Sequence, residues 1–280
     1  MNKDPANSRS PLLRVCELSK SYRRRGSPWQ RGHVIEAASH VTFEIFAGET
    51  LALVGMSGSG KSTVARCVSR LERPDAGEIW LNQTDIAQLE SSDLAPSRQR
   101  CQMVFQDAAT SINPRFTAGE VIEEPMLIQQ EGSQRERRQR AQGLMSEVGL
   151  SPDSADRLAM EFSGGQQQRL AIARALALKP SVLILDEALS GLDLSTEAQI
   201  ANLLLDLQSA HALAYLLISH DLALVARVSD TIAVMANGKI VEQGPTTQVI
   251  GHPTAPETRA LLGATESARV GLAAAMGMTP

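Results

Sequence analysis

Residues 55–62 read GMSGSGKS and follow directly on the apolar run LALV of residues 51–54. This octet matches the pattern G-x-x-x-x-G-K-[ST], in which glycines let backbone N–H groups point inward around phosphate oxygens. Lys61 would neutralise the β- and γ-phosphates, and the Ser62 hydroxyl would bind Mg²⁺. The residues expected to bind the phosphates are Gly55, Ser57, Gly58, Ser59, Gly60, Lys61, Ser62 and Thr63.

A helix is predicted directly after this loop, with its positive N-terminal end towards the phosphates. The apolar positions that share one face of this helix are Val64, Ala65, Val68 and Leu71. The loop is therefore expected between a buried strand and an amphipathic helix.

Composition limits the classes of protein to consider. The chain has 280 residues, 43% of them hydrophobic, and a formal net charge of −4. This acidic excess argues against nucleic-acid binding through bulk charge, because duplex binders usually carry a basic excess. The three cysteines include no C-x-x-C pair, so neither a disulfide framework nor a cysteine zinc site is predicted. No apolar run approaches the roughly 18 residues that a membrane span needs, so we expect no membrane span.

Strand-like runs indicate an α/β protein with a mostly parallel sheet. Residues 182–185 (VLIL) and 214–219 (AYLLIS) are nearly all apolar, which suits strands buried on both faces. Earlier β-type runs cover residues 12–18, 40–45 and 50–54. Prolines, Pro125 among them, are expected to mark turns between the elements.

A pair of acids ends one of the buried runs. Asp186 and Glu187 complete VLILDE, at the carboxyl end of a predicted parallel strand, where open α/β sheets bind their ligands. Asp186 would hold Mg²⁺ directly or through water. Glu187 would act as general base towards the attacking water, or orient it.

A third element, FSGGQQQRL at residues 162–170, precedes the helical run AIARALAL. Ser163 and Gln166 have the spacing of a capping box, which predicts a capped helix start. Capping does not explain Gly164 and Gly165, since glycine destabilises a helix. Close approach of a γ-phosphate to the backbone would explain them.

Together these elements resemble the ATP-binding cassette of ABC transporters, over about residues 12–262. SGGQ is the signature motif of that family, although Phe162 replaces the usual leucine. The resemblance implies a P-loop nucleoside-triphosphatase core with a mostly parallel sheet, an antiparallel β subdomain and a helical signature subdomain. It also implies ATP and Mg²⁺ as ligands, with Ser163, Gly164, Gly165 and Gln166 contacting the nucleotide.

The resemblance assigns roles to further residues. Gln106 in VFQD resembles the Q-loop glutamine, which senses Mg²⁺ and the attacking water. His220 in LLISHDL resembles the switch histidine, which contacts the γ-phosphate. Asp193 lies in the D-loop, among the residues implied to bind the nucleotide. Gly191 stands there in place of the family's common alanine, which would loosen the segment.

Tyr22 matches the aromatic residue that stacks on adenine upstream of the phosphate loop. Trp29, within the RRRGSPWQRGH that follows it, is the alternative platform. Among all the residues assigned above, the expected catalytic residues are Glu187, His220, Gln106 and Lys61.

Two segments narrow the resemblance to importers of oligopeptides, dipeptides and nickel. They are FQDAATSINPRFTAGEVIEEP at residues 105–125 and HPTAPETRALL at residues 252–262. The glycine in the D-loop and the leucine after Asp193 are somewhat more similar to the nickel branch.

The implied organisation is a flexible tail (1–11), a cassette (12–251, with the helical subdomain at about 107–168) and a C-terminal extension (252–280).

The resemblance also implies the partners. A second ATP-binding subunit, identical or different, would place its SGGQ over the ATP of this chain. Permease subunits would dock on residues 107–125 at the cytoplasmic face of the inner membrane, and an extracytoplasmic binding protein would act indirectly. The alternatives are a cassette ATPase linked to nucleic acid or ribosomes, and a degenerate cassette with a regulatory role.

Overall fold

The apolar runs of the sequence become the centre of a six-stranded sheet in the computed structural model, which describes residues 10–24 and 33–263. From edge to edge the strands are β10 (Lys239–Pro245), β9 (Thr231–Ala236), β3 (Thr50–Val54), β8 (Ala214–Ile218), β7 (Val182–Asp186) and β6 (Cys101–Val104). Neighbouring strands are parallel except for β10, which is antiparallel to β9. Strand β7 is buried on both faces, as predicted, since Leu183 and Ile184 enter opposite hydrophobic clusters.

A second, antiparallel sheet covers one face of the parallel sheet. Its order is β2 (His33–Ile45), β1 (Leu13–Arg24), β4 (Ala76–Leu81) and β5 (Thr84–Asp85). Strands β1 and β2 are longer than the apolar runs predicted, because their ladder continues through polar residues to the pair Arg24 and His33. Bulges interrupt the β1–β2 register, and the apolar residues of both strands join the core beneath.

Helix α1 (Lys61–Val68) lies in this core and begins at the phosphate loop, as predicted. Val64, Ala65 and Val68 are buried, whereas Leu71 is 55% exposed, so its placement on the buried helix face was wrong. The helix ends at Val68, and Arg70 takes a φ of +53°. This left-handed residue reverses the chain direction, which turns Leu71 towards solvent.

Helices cover the opposite face of the parallel sheet and form the second hydrophobic cluster. Helix α2 (Ala95–Arg100) lies at the edge strand β6 instead. In chain order the helices of this layer are α3 (Ala108–Ser111), α4 (Ala118–Ile128), α5 (Gln134–Glu147), α6 (Gly164–Leu176), α7 (Leu194–His211), α8 (Leu222–Val228), α9 (Thr246–Gly251) and α10 (Pro256–Gly263). Short 3₁₀ turns at Pro152–Asp156 and Ala159–Glu161 join α5 to α6. Capping boxes start α4 and α5, so the polar stretch near residue 134 is helical.

Pro125 does not mark a turn, contrary to the expectation, but lies inside α4. A proline ring removes one backbone donor and crowds the preceding helical turn. The helix continues because Ile122 and Met126 on either side are buried in the helical cluster, and the Gln129 N–H donates to the Pro125 carbonyl at 3.1 Å. Tertiary packing therefore overrides the local preference for a break.

Parts of the predicted tails lie outside the described residues. Of the N-terminal tail only residues 10–11 are described, and of the C-terminal extension only residues 252–263. Within the described residues, no helix is long and apolar enough to span a membrane.

Candidate functional site

The phosphate loop is shaped by two glycines that other residues could not replace. Gly60 has a φ of +107°, and a Cβ there would lie 1.9 Å from the Ala37 carbonyl oxygen. Gly55 has a φ of +151°, and its Cβ would lie 2.2 Å from the Met235 carbonyl oxygen. The loop is thus wedged between the backbones of β2 and β9.

Lys61 reaches back across the loop. Its Nζ donates to the carbonyl oxygens of Gly55 at 2.8 Å and Met56 at 3.0 Å. Burial holds the pKa of Lys61 below its ordinary value, and the nearby carboxylates of Glu187 and Asp186 only partly oppose this. The ammonium group therefore lies buried at the loop, close to two carboxylates.

Ser62 and Asp186 meet although they are 124 positions apart. The Ser62 hydroxyl donates to Asp186 Oδ1 at 2.9 Å, at the carboxyl end of β7. The pKa of Asp186 lies above its ordinary value. Burial is the main cause and the charge of Glu187 adds to it, whereas the Ser62 hydrogen bond opposes the rise. A hydroxyl and a carboxylate oxygen are ligands that suit Mg²⁺ when phosphates and water complete its shell. The described residues include no cluster of three or more His, Cys, Asp or Glu side chains that could hold a metal without such help.

Glu187 and His220 follow the neighbouring strands β7 and β8 and lie beside each other. His220 Nδ1 is 3.7 Å from Glu187 Oε1. Glu187 has a φ of +50°, a conformation that costs energy for any residue except glycine. Its N–H donates to the Ile218 carbonyl at 2.9 Å, and Ser190 Oγ donates to its carbonyl at 2.8 Å. These bonds hold the strained backbone of Glu187 in place.

Gln106 and the signature helix share an open cleft with His220. This cleft has a volume of about 660 Å³ and is also lined by Gly164 and Ser190. Phosphate-loop residues 55–59 line another cavity, of about 290 Å³, together with Glu257 and Ala260 of α10. The signature segment and the phosphate loop thus lie on different clefts of this chain.

The capping box predicted at the signature helix is confirmed. The Ser163 N–H donates to Gln166 Oε1 at 3.0 Å, and the Gln166 N–H donates to Ser163 Oγ at 3.4 Å. A Cβ added at Gly164 would meet no atom of the described residues within 4 Å, whereas one at Gly165 would lie 2.4 Å from Thr196 Cγ2. Packing inside the chain therefore gives Gly165 a reason to be glycine that the sequence did not indicate.

Asp193 is the N-cap of α7. Its carboxylate accepts from the Thr196 hydroxyl at 2.6 Å and from the Thr196 N–H at 3.0 Å. These bonds lower the pKa of Asp193. Gly191 has a φ of +79°, which glycine adopts without the strain that alanine would carry there.

Tyr22 projects from β1 towards the helix that follows the phosphate loop. Its side chain is 37% exposed, and its hydroxyl donates to Glu72 Oε2. The pKa of Tyr22 lies above its ordinary value. Burial is the main cause and Glu72 adds to it, whereas the Thr63 side chain opposes the rise. Trp29, the alternative platform, lies outside the described residues.

Sequence reasoning missed two residues at this site. Thr196 was detectable, since it stands three positions after Asp193, at the spacing of a helix cap. Glu72 was not detectable, because it lies 50 positions from its partner Tyr22 and no local pattern links the two.

A parallel sheet with a lysine-bearing phosphate loop, and with acids at the end of the adjoining strands, defines a P-loop nucleoside triphosphatase. The family model described as ABC transporter matches residues 38–190. The chain belongs to the ABC transporter ATP-binding family and is an ATPase. This membership and the fold class confirm the expectations from the sequence.

Curated relatives and solved structures agree with this membership. The chain is 48% identical over 255 residues to a probable peptide ABC transporter ATP-binding protein, y4tS of Sinorhizobium fredii, covering 90% of this chain and 72% of that protein. It is 41% identical over 265 residues to the dipeptide transport ATP-binding protein DppF of Escherichia coli, covering 95% and 79%. A dimeric post-hydrolysis structure of the ATP-binding cassette MJ0796, bound to ADP and Pi, matches with a TM-score of 0.74 and 29% identity, covering 84% of this chain and 99% of that one.

Proposed function

We propose that this ATPase energises a membrane importer of the dipeptide, oligopeptide or nickel group from the cytoplasmic face of the inner membrane. The observation that carries the ATP-hydrolysing part of the proposal is the convergence of Ser62 with Asp186, and of Glu187 with His220, beside the phosphate loop. The names of the relatives, which concern peptides and dipeptides, favour a peptide cargo over nickel.

The residues around the phosphate loop divide the chemistry. Lys61 neutralises the β- and γ-phosphates, and loop residues 55–63 bind their oxygens through backbone N–H groups. Ser62 and Asp186 would hold Mg²⁺, which neutralises charge on the phosphate oxygens. Glu187 takes a proton from the attacking water or orients it, and His220 contacts the γ-phosphate. The 3.7 Å between Glu187 and His220 supports their action at one point.

The remaining predicted residues act around this centre. Gln106 senses the metal and the attacking water, and its position in one cleft with His220 supports this role. Tyr22 stacks on adenine, which agrees with its partly exposed ring beside α1. Residues 163–166 and Asp193 contact the nucleotide of the partner subunit.

A second ATP-binding subunit completes the site. The signature segment and the phosphate loop line different clefts, so an ATP on the loop of one subunit would take its second wall from the other. Met56 in the loop is 68% exposed and Leu194 after the D-loop is 83% exposed, and such apolar side chains suit an interface. ATP would hold the closed pair together, and hydrolysis would release it.

Residues 107–125 form the surface that receives the permease, and Ser111 and Pro125 of this segment line a groove of about 230 Å³ at the junction of the helices and the parallel sheet. Leu71 and Phe105 line the same groove. Leu71 is 55% exposed and Phe105 is 42% exposed, which suits a partner that presents an apolar helix. The groove adjoins residues 107–125, so movement of the helical layer would reach the permease.

The proposed organisation keeps the boundaries given above: a tail at 1–11, the cassette at 12–251 with a helical subdomain at about 107–168, and an extension at 252–280. Glu242 of β10 ties the extension to the cassette, since its carboxylate accepts from the Thr254 N–H at 2.8 Å and from the Ala255 N–H at 2.9 Å. The extracytoplasmic binding protein acts on this chain only through the permease.

Glu187→Gln tests the catalytic assignment. We expect retained ATP binding and a loss of turnover of about 100-fold or more, the usual effect of removing a general base. Glu90→Gln, which changes an exposed acid paired with Arg73 at 3.4 Å, is the matched control. Unchanged turnover in Glu187→Gln would remove Glu187 from the mechanism, whereas an unaltered protein that binds ATP without turnover would favour the degenerate-cassette alternative.

Co-purification tests the cellular role. The chain is expected to be recovered with membrane permease subunits. In a separate measurement, its ATP turnover per chain should fall on dilution, because the site needs two subunits. Recovery with ribosomes or DNA instead would favour the nucleic-acid-linked alternative.

A further inference from the structure

Tyr22 is tied to the helix of the phosphate loop through Glu72. Its hydroxyl donates to Glu72 Oε2. Glu72 is itself held, because its N–H donates to the Arg66 carbonyl at 3.0 Å and its carboxylate lies 3.5 Å from the Arg66 guanidinium. Arg66 belongs to α1. The orientation of the Tyr22 ring is therefore coupled to the helix that begins at the phosphate loop.

Lys20 occupies one face of the Tyr22 ring. Its Nζ lies 5.8 Å from the ring centroid, within the range of a cation–π contact. Lys20 cannot easily leave, since its Nζ donates to Asp75 Oδ1 at 3.0 Å and to the Arg73 carbonyl at 2.8 Å. Asp75 is also fixed, because it accepts from the Ser21 N–H at 2.7 Å. Tyr22 is nevertheless 37% exposed, so part of its surface is accessible to a stacked ligand.

We propose that Glu72 is a positioning residue that fixes Tyr22 as the platform for the nucleobase, and that it thereby sets the preference for adenine over pyrimidine nucleotides. This inference rests on the adenine role of Tyr22 proposed above. A ring held in one orientation binds a base without a further ordering cost. The phosphate loop contacts every nucleoside triphosphate alike, so discrimination between bases depends on the platform, where a purine has more surface to stack than a pyrimidine.

Binding of ATP and CTP to the full chain, measured by displacement of a fluorescent ATP analogue, tests this role. Glu72→Ala and Tyr22→Phe each remove the hydrogen bond and keep a ring at position 22. We expect each to weaken ATP binding about fivefold, which is about 1 kcal/mol at 1.4 kcal/mol per tenfold change. CTP affinity should change less than about twofold. The double variant should be no weaker than either single variant, because both remove the same bond.

Two further variants separate positioning from general structural damage. Glu72→Gln keeps an acceptor for the Tyr22 hydroxyl, so the ratio of ATP to CTP affinity should remain near that of the unaltered protein. Glu78→Ala is the matched control, since Glu78 is an exposed acid of the same sheet that accepts from Trp80 Nε1 at 2.7 Å. Thermal unfolding without nucleotide shows whether each variant is folded. If Glu72→Ala fails to fold, the pair Tyr22→Phe and Glu72→Gln decides.

Different results refute the two levels of the proposal. Unchanged ATP affinity in Tyr22→Ala would refute the adenine role of Tyr22. If Tyr22→Ala weakens ATP binding but Glu72→Ala and Tyr22→Phe do not, the platform stands and the role of Glu72 is overturned. Equal loss of ATP and CTP affinity in Glu72→Ala would also overturn it, because a structural defect affects both nucleotides.

Discussion

Replacing Gly165 by alanine should destabilise the protein by overpacking against Thr196. The added Cβ would lie 2.4 Å from Thr196 Cγ2, whereas carbon atoms normally pack at about 3.5–4.0 Å. Thr196 cannot rotate away freely, because it is β-branched and its hydroxyl is bonded to Asp193 at 2.6 Å. The signature helix and the start of α7 would have to move apart to accept the methyl group.

The expected magnitude follows from two opposing effects. Overpacking by a methyl group in a well-packed site typically costs about 1–3 kcal/mol. Alanine gains up to about 1 kcal/mol over glycine in a helix interior, and less in the first turn where Gly165 lies. We therefore expect a net loss of about 1–2 kcal/mol in the free energy of unfolding. Each kcal/mol lost should lower the Tm by roughly 2–4 °C for a chain of this size.

Urea unfolding followed by circular dichroism measures this loss, and a second substitution identifies its cause. Thr196→Ser removes Cγ2 and keeps the hydroxyl that bonds Asp193, so the double variant with Gly165→Ala should recover most of the stability. Gly164→Ala is the matched control, because a Cβ there would have no neighbour within 4 Å in the part of the chain that the structure describes, and its stability should be unchanged.

The combined results separate packing from nucleotide contact. If Gly165→Ala is as stable as the unaltered protein, or if Thr196→Ser fails to restore it, the packing explanation is refuted. Loss of ATP turnover in Gly164→Ala at full stability would assign the glycine at position 164 to the nucleotide of the partner subunit.

Two further predictions concern the supporting structure. Phe43→Ala should cost about 3–5 kcal/mol in unfolding free energy, because Phe43 is 2% exposed in the core between the two sheets; a loss below 1 kcal/mol in urea unfolding would contradict this. Partial burial alone would raise the pKa of Glu242, but hydrogen bonds that include those from Thr254 and Ala255 outweigh it and hold the pKa at about 2, against 4.5 for a free glutamate. The stability that Glu242 contributes is therefore complete above pH 4.5 and is lost as the pH falls towards 2. The difference in Tm between the unaltered protein and Glu242→Gln should shrink as the pH falls through this range. A difference in Tm that stays constant would contradict the prediction.

Much of the site was predictable because its signals are local. The phosphate loop needs its glycines and lysine at fixed spacing, and the capping box needs Ser163 and Gln166 three positions apart. Pro125 and Leu71 show where local reasoning failed. Burial of neighbouring residues carried the helix through Pro125, and a left-handed Arg70 ended the other helix before Leu71.

The sequence by itself determined the parallel sheet, the phosphate loop and the choice of side chains proposed to react, since these depend on residue type and on separations of a few positions. Only the tertiary structure decided the contact of Ser62 with Asp186 across 124 positions, the bond from Tyr22 to Glu72 across 50, and the strained backbone of Glu187. These features depend on which distant strands become neighbours, and that is settled by burial of the whole core rather than by any short pattern.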